Sequence, residues 1–144
     1  RGGERLLDLG CGSGILSIAA LVLGAREAFA CDIDEKCVDV AYENAALNGV
    51  GRDRYTVRWG DVLTDKALQA EFGGGYDMVV ANIVADVIMG LSDKVRPFLK
   101  EGGLFLCSGI IDDRAEEVFT KLRADGWTVI EQHDSEVWYS FLCR

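Results

Sequence analysis

Short apolar runs alternate with helix-like patterns along most of the chain. The runs have the length of strands, and between them apolar residues recur at three- or four-residue intervals, as on one face of a helix. The run at 76–81 is almost unbroken, which is typical of a central parallel strand buried on both faces. The pattern predicts strands at about 5–9, 27–32, 55–59, 76–81 and 104–107, and helices from about residue 13 and at 35–48, 66–72 and 83–99, the last interrupted near Pro97.

The C-terminal third predicts one more helix and a hairpin. Residues 113–116 have the form of a capping box, with Asp113 at the N-cap and Glu116 three residues on. The helix is expected to end at Asp125 and Gly126. Strands at 127–131 and 137–142 would then be joined by the polar loop 132–136. Together the elements predict a doubly wound sheet of five parallel strands, followed by a hairpin.

A glycine-rich loop follows the first strand, with Gly10, Gly12 and Gly14 at alternate positions. Because glycine has no Cβ, this loop lets a ligand lie directly against the backbone. A dinucleotide-binding G-x-G-x-x-G motif would need its third glycine at position 15, which is Ile. We expect Asp8 at the mouth of the strand, where its carboxylate would repel a pyrophosphate and attract an amine or a sulfonium. The loop therefore favours a cationic ligand over a dinucleotide.

Polar residues also end three other predicted strands, namely Asp32, Asp61 and Asn82. In doubly wound sheets, ligands bind beyond the carboxyl ends of the strands, where the strand order reverses. We expect Asp32 to accept hydrogen bonds from both hydroxyls of a ribose, and we interpret Asp34 as the cap of the following helix. Asp61 and Asn82 are also compatible with ordinary turns at strand ends.

The run from Asp8 to Gly14, D-x-G-x-G-x-G, resembles the first motif of class I S-adenosylmethionine-dependent methyltransferases. The resemblance implies S-adenosyl-L-methionine as the cofactor and an antiparallel last strand. The expected fold class is therefore α/β, a Rossmann-like methyltransferase sheet that is mostly parallel. The resemblance also implies that Asp61 contacts the adenine amino group, with Val62 beside the ring. The cofactor-binding residues expected on this basis are Asp8, Gly10, Cys11, Gly12, Gly14, Asp32, Ile33, Asp61, Val62 and Asn82.

Two further stretches, 82–88 and 108–111, resemble the PrmA family, which methylates a ribosomal protein of the large subunit. The family pattern of Asn, any residue, aliphatic, Ala, Asp matches residues 82–86. The resemblance implies a protein N-methyltransferase that modifies lysine or N-terminal amines, with Asn82 as the catalytic residue that orients the amine. Methyltransferases acting on planar nitrogens often carry Asn-Pro-Pro-Tyr here, and only the Asn is present. PrmA proteins also have an N-terminal recognition domain, so we expect residues 1–144 to be the catalytic domain of a longer protein.

The amino-acid composition limits the kinds of molecule that this chain is expected to bind. A formal net charge of −9 and the lack of a basic cluster make direct binding of nucleic acid unfavourable. No apolar run approaches the roughly 20 residues of a membrane span, so a cytoplasmic location is expected. The five cysteines contain no C-x-x-C pair, which disfavours a disulfide framework and a metal site. We expect His133 on the surface and Trp59, Trp127 and Trp138 in the core. The oligomeric state is left open.

Three other functions remain open at this level. A methyltransferase of RNA or of a small molecule would share the loop and the strand-end acids. A nicotinamide-dependent oxidoreductase would share the fold, although the glycine spacing disfavours it. A cofactor-binding module without catalysis of its own would share the cofactor residues.

Overall fold

In a computed structural model, which describes residues 2–144, five parallel strands alternate with helices and an antiparallel pair completes the sheet. The predicted fold class is confirmed, and strands β2 and β3 have the predicted bounds. The elements are β1 (Arg5–Leu9), α1 (Ile15–Val22), β2 (Glu27–Asp32), α2 (Lys36–Leu47), β3 (Tyr55–Trp59), α3 (Lys66–Phe72), β4 (Tyr76–Asn82), α4 (Ala85–Leu91), β5 (Leu99–Ile111), α5 (Asp112–Ala124), β6 (Val129–Ser135) and β7 (Trp138–Cys143).

The strand order is β3-β2-β1-β4-β5-β7-β6. It reverses between β1 and β4, which pair in parallel from Leu6 opposite Met78 to Asp8 opposite Val80. Strand β7 runs antiparallel to β5, as expected. The carboxyl ends of β1, β2, β3 and β4 therefore meet at one edge of the sheet, on both sides of the reversal.

The core lies on both faces of the sheet. One cluster packs residues such as Val79 and Phe105 against α4 and α5, and the other packs residues such as Ala30 and Val57 against α1 and α2. The sequence of α5 is amphipathic. Ala115, Val118 and Leu122 recur on one side of the helix, and all three are buried. Burial on both faces explains the unbroken apolar sequence of β4.

Four predicted boundaries are wrong for identifiable reasons. The helix predicted at 83–99 is only α4, because residue 84 is still extended and a 3₁₀ turn at Arg96–Phe98 contains the proline. The strand predicted at 104–107 is the longer β5, because residues 100–103 form a bulge within it instead of a turn before it, with Tyr76 opposite Leu99 and Met78 opposite Leu104. Helix α5 begins at Asp112, so there is no capping box. Strand β6 extends to Ser135, because an exposed edge strand does not need alternating apolar residues.

The three tryptophans divide between core and surface. Trp127 is 3% exposed, as expected, and its Nε1 donates a hydrogen bond to the carbonyl of Ser92 at 2.7 Å. Trp59 is 59% exposed at the end of edge strand β3, and Trp138 is 53% exposed at the start of β7, so their assignment to the core is wrong. His133 is exposed, as expected, although it lies on β6 instead of in a loop.

Among residues 2–144, no helix combines the length and the apolar character needed to cross a bilayer. In the same part of the chain, no group of three or more His, Cys, Asp or Glu is arranged to hold a metal ion.

Candidate functional site

A cavity of about 330 Å³ opens at the carboxyl edge of the sheet, where the strand order reverses. Five residues of the predicted cofactor set line it, namely Gly10, Asp32, Ile33, Asp61 and Val62. The other lining residues are mostly apolar: Leu9, Cys31, Gly60, Leu63, Ile83, Val84, Val87 and Leu91.

The glycine loop is held against β2 and against the segment that follows β4. The amides of Gly10 and Cys11 both donate to the carbonyl of Cys31 at 2.9 Å. Gly10 has a φ of 78°, and a Cβ at this position would overlap the side chain of Ile83. The close approach requires glycine at position 10, and it brings the β1–α1 and β4–α4 loops together at the cavity.

Asp32 connects the glycine loop to the turn after β2. Its Oδ2 accepts a hydrogen bond from the Gly12 amide at 2.8 Å, and its Oδ1 accepts one from the Asp34 amide at 2.9 Å. Each carboxylate oxygen still has an acceptor site for a ligand hydroxyl. Asp34 lies one residue before Glu35, the N-cap of α2, and it caps the first turn from there by accepting a hydrogen bond from the Lys36 amide at 3.0 Å.

Asp61 and its neighbours form the far wall of the cavity. The Oδ1 of Asp61 accepts from the Leu63 amide at 2.9 Å, which fixes the turn after β3. Val62 is buried beside it. The cavity thus combines an apolar slot with carboxylates at its rim, a lining that suits a flat ring joined to a hydroxylated sugar.

Asp8 is not at the mouth of the strand. Its side chain is 1% exposed and accepts a hydrogen bond from the Ser17 hydroxyl at 2.6 Å. Side chains alternate along a strand, and because the next residue, Leu9, faces the cavity, Asp8 points to the opposite face, toward α1. Burial raises the pKa of Asp8 to about 6, and its Oδ1 has no hydrogen-bond partner among residues 2–144.

The other predicted residues are divided between the loop and a second cavity. Cys11, Gly12 and Gly14 lie in the loop without lining the first cavity, and burial raises the pKa of the Cys11 thiol far above its usual range. Contact of these residues with a cofactor stays a prediction. Asn82, at the end of β4, lines the second cavity and not the first.

The second cavity, of about 460 Å³, adjoins the first. The two share Ile83 and Val84, so they meet along these residues. The remaining lining residues of the second cavity are Asn82, Ala85, Asp86, Gly109, Ile111, Arg114 and Trp138. Arg114 donates to Asp86 at 2.6 Å and to Glu117 at 2.8 Å, and its guanidinium lowers the pKa of Asp86. The ion pair between Arg114 and Asp86 connects α5 to the start of α4.

Sequence reasoning missed several lining residues. Val87 and Leu91 are four positions apart, so they share one face of α4, and this spacing was a usable signal. Trp138 and Arg114 gave no such signal, because they reach the second cavity only through the pairing of β5 with β7 and the packing of α5.

The model of the family described as ribosomal protein L11 methyltransferase (PrmA) matches residues 1–144. A ribosomal protein L11 methyltransferase from Thermoanaerobacter pseudethanolicus is 45% identical over 139 residues, covering 96% of this chain and 42% of that protein. A second, from Caldanaerobacter subterraneus subsp. tengcongensis, is 45% identical over 143 residues, covering 99% and 43%. This chain therefore spans less than half the length of these curated relatives.

The fold of this chain also matches that of a solved structure. The crystal structure of a ribosomal protein L11 methylase from Lactobacillus delbrueckii subsp. bulgaricus matches with a TM-score of 0.88 and 30% sequence identity. The match covers 98% of this chain and 69% of that one.

Proposed function

Because the chain belongs to the ribosomal protein L11 methyltransferase (PrmA) family, we propose that residues 1–144 form the catalytic domain of a protein N-methyltransferase. Its methyl donor would be S-adenosyl-L-methionine, and its acceptors would be lysine or N-terminal amines of a ribosomal protein in the cytoplasm. The observation that carries the proposal is the cavity at the reversal of strand order, where Gly10, Asp32 and Asp61 meet an apolar slot.

The cavity fits the proposed cofactor in three respects. Asp32 offers acceptors for ribose hydroxyls, and Val62, Leu63, Val87 and Leu91 offer apolar contacts for adenine. Gly10 lines the cavity, so its backbone is available to the rest of the cofactor, while Ile83 occupies the space beside its Cα. When bound, this cofactor supplies an electrophilic methyl group without help from a protein acid or base.

The second cavity suits the acceptor amine. Asn82 lines it, and its side-chain oxygen or the nearby backbone would orient the amine. Ile111 and Trp138, which are 43% and 53% exposed, supply apolar walls that a bound protein substrate would close off from water. Because desolvation disfavours a charged ammonium, such walls lower the pKa of a lysine and favour the neutral, nucleophilic form. The chain would then contribute to methyl transfer by positioning the acceptor amine and by removing water from it.

The alternatives are less well supported. Family membership and the early third glycine both disfavour a nicotinamide oxidoreductase. The net charge of −9 and the lack of the Pro-Pro-Tyr sequence after Asn82 disfavour an RNA acceptor.

Calorimetry with S-adenosylhomocysteine tests the cofactor assignment. We expect saturable binding that Asp32→Ala weakens by about 10- to 100-fold, because hydrogen bonds to a charged group contribute about 1.5–3 kcal/mol. Asp34→Ala is the matched control, since Asp34 caps α2 and does not line the cavity, and its effect is expected to be under about threefold. No heat with this ligand, together with saturable binding of NADH, would overturn the proposal.

A further inference from the structure

Gly109 lies directly beside Asn82 across the β4–β5 pair. The paired register of these strands ends at Asn82 opposite Ser108. Gly109 follows, at the point where the register between β5 and β7 shifts between Cys107 and Ile110. Its φ is +77°, a conformation that side-chain-bearing residues rarely adopt.

The space beside Gly109 is occupied by the Asn82 amide. A Cβ at position 109 would lie 2.6 Å from Asn82 Oδ1 and 3.4 Å from both the amide nitrogen and the carbonyl oxygen of Ile83. Gly102, in the same strand, has a φ of +78°, but a Cβ there would meet nothing within 4 Å. The two glycines have nearly the same positive φ, and only Gly109 is also constrained by a neighbour.

We propose that Gly109 is a positioning residue for Asn82: its missing side chain leaves the room in which the Asn82 amide faces the second cavity. Both residues line that cavity, and neither lines the first. A methyl group at position 109 rotates the amide away from the acceptor amine. The proposal rests on the proposed methyl transfer, and it predicts a defect in turnover without a defect in cofactor binding.

The first test measures methyl transfer to the ribosomal protein by the full-length gene product. We expect Gly109→Ala to lower kcat by about 100-fold, a loss that misplacing a reacting group by about 1 Å can cause. The affinity for S-adenosylhomocysteine is expected to change by less than about threefold. Gly102→Ala controls for backbone strain and is expected to keep kcat within about threefold of the parent. Equal losses in the two variants would overturn the proposal.

A double-mutant cycle tests whether Gly109 acts through Asn82. Asn82→Ala has no Oδ1 for the new Cβ to displace. Adding Gly109→Ala to Asn82→Ala is therefore expected to lower kcat by less than about threefold further, although each single change lowers it strongly. Losses that multiply would show that Gly109 acts independently of Asn82 and would contradict the proposal.

A spectroscopic test separates this proposal from the proposed function. The side-chain amide resonances of Asn82 are expected to shift in Gly109→Ala and to stay in place in Gly102→Ala. This result needs no turnover, so it holds or fails even if the acceptor has been misassigned. An unmoved Asn82 amide in Gly109→Ala would overturn the positioning role, whereas absence of methyl transfer in the parent protein would overturn only the function.

Discussion

Asp8 places a carboxyl group where water does not reach it. Burial disfavours the ionised form, and the hydrogen bond from Ser17 offsets only part of this cost, so the pKa is raised from 3.8 to about 6. Between these two values the folded protein binds more protons at Asp8 than the unfolded chain does. The contribution of Asp8 to the free energy of unfolding therefore falls as pH rises through this window.

The pH dependence of Asp8→Asn measures this cost. Relative to the mutant, the parent protein is expected to lose stability between about pH 4 and pH 6, by about 3 kcal/mol in all, and no more above pH 7. Urea denaturation at several pH values gives the difference. Taking the difference cancels the carboxyls whose pKa is lowered by ion pairs, such as Asp77 and Glu27. If the difference in the free energy of unfolding between parent and mutant does not change with pH, burial does not raise the pKa of Asp8.

At the residue scale, sequence located the acids but not their orientation. Asp32 and Asp61 line the first cavity as predicted, because Asp32 ends β2 and Asp61 follows β3 at the same edge of the sheet. Asp8 was misplaced because the loop motif does not reveal which face of β1 the residue occupies. The burial of its neighbours on both faces of the sheet conceals that alternation.

At the scale of elements, the hydrophobic pattern predicted the bounds of strands and helices best where polar or turn residues follow the element. Strands β2 and β3 were predicted to the residue because polar or turn residues follow each of them. The segment between Ile83 and Leu99 was predicted poorly, because its apolar residues serve a loop, a short helix and a 3₁₀ turn that pack on the same core. Apolar content alone does not separate these conformations.

Trp127 links two of these elements, and its replacement tests the link. Its indole connects the segment before β6 to Ser92 after α4, inside the core. Trp127→Phe leaves the Ser92 carbonyl without this donor, so we expect a loss of about 1–3 kcal/mol in the free energy of unfolding. Trp138→Phe is the matched control, and at this exposed site the change is expected to stay within about 0.5 kcal/mol. Urea denaturation measures both. Equal losses would contradict the assignment of Trp127 to the core and Trp138 to the surface.

At the scale of the whole molecule, the sheet brings together segments that are distant in sequence. The first cavity takes residues from the ends of β1, β2, β3 and β4 and from α4, and all of them lie within this chain. Sequence predicted the edge at which they meet, because the ends of parallel strands share an edge. The spacing of Val87 and Leu91 marks one face of α4, but it does not show that packing against β5 and α5 turns this face toward the cavity.

A comparison with the full-length gene product tests whether the cofactor site is complete. Because its lining comes from these residues, the isolated 144-residue chain is expected to bind S-adenosylhomocysteine within about threefold of the full-length affinity. Calorimetry on the two proteins measures this, with Asp32→Ala in each as the control for specific binding. Affinity more than about tenfold weaker in the isolated chain would show that other segments contribute to the site.

The boundary between the two cavities, along Ile83 and Val84, has a consequence for inhibitor chemistry. Because the same two residues line both cavities, a methyl donor in the first and an amine in the second would meet there, as direct transfer of the methyl group requires. A bisubstrate compound with a nucleoside at one end and an alkylamine at the other would need only a short linker to reach both cavities. Such a compound would lose little conformational entropy on binding, because its linker is short. It would also make the contacts of both cavities in one molecule.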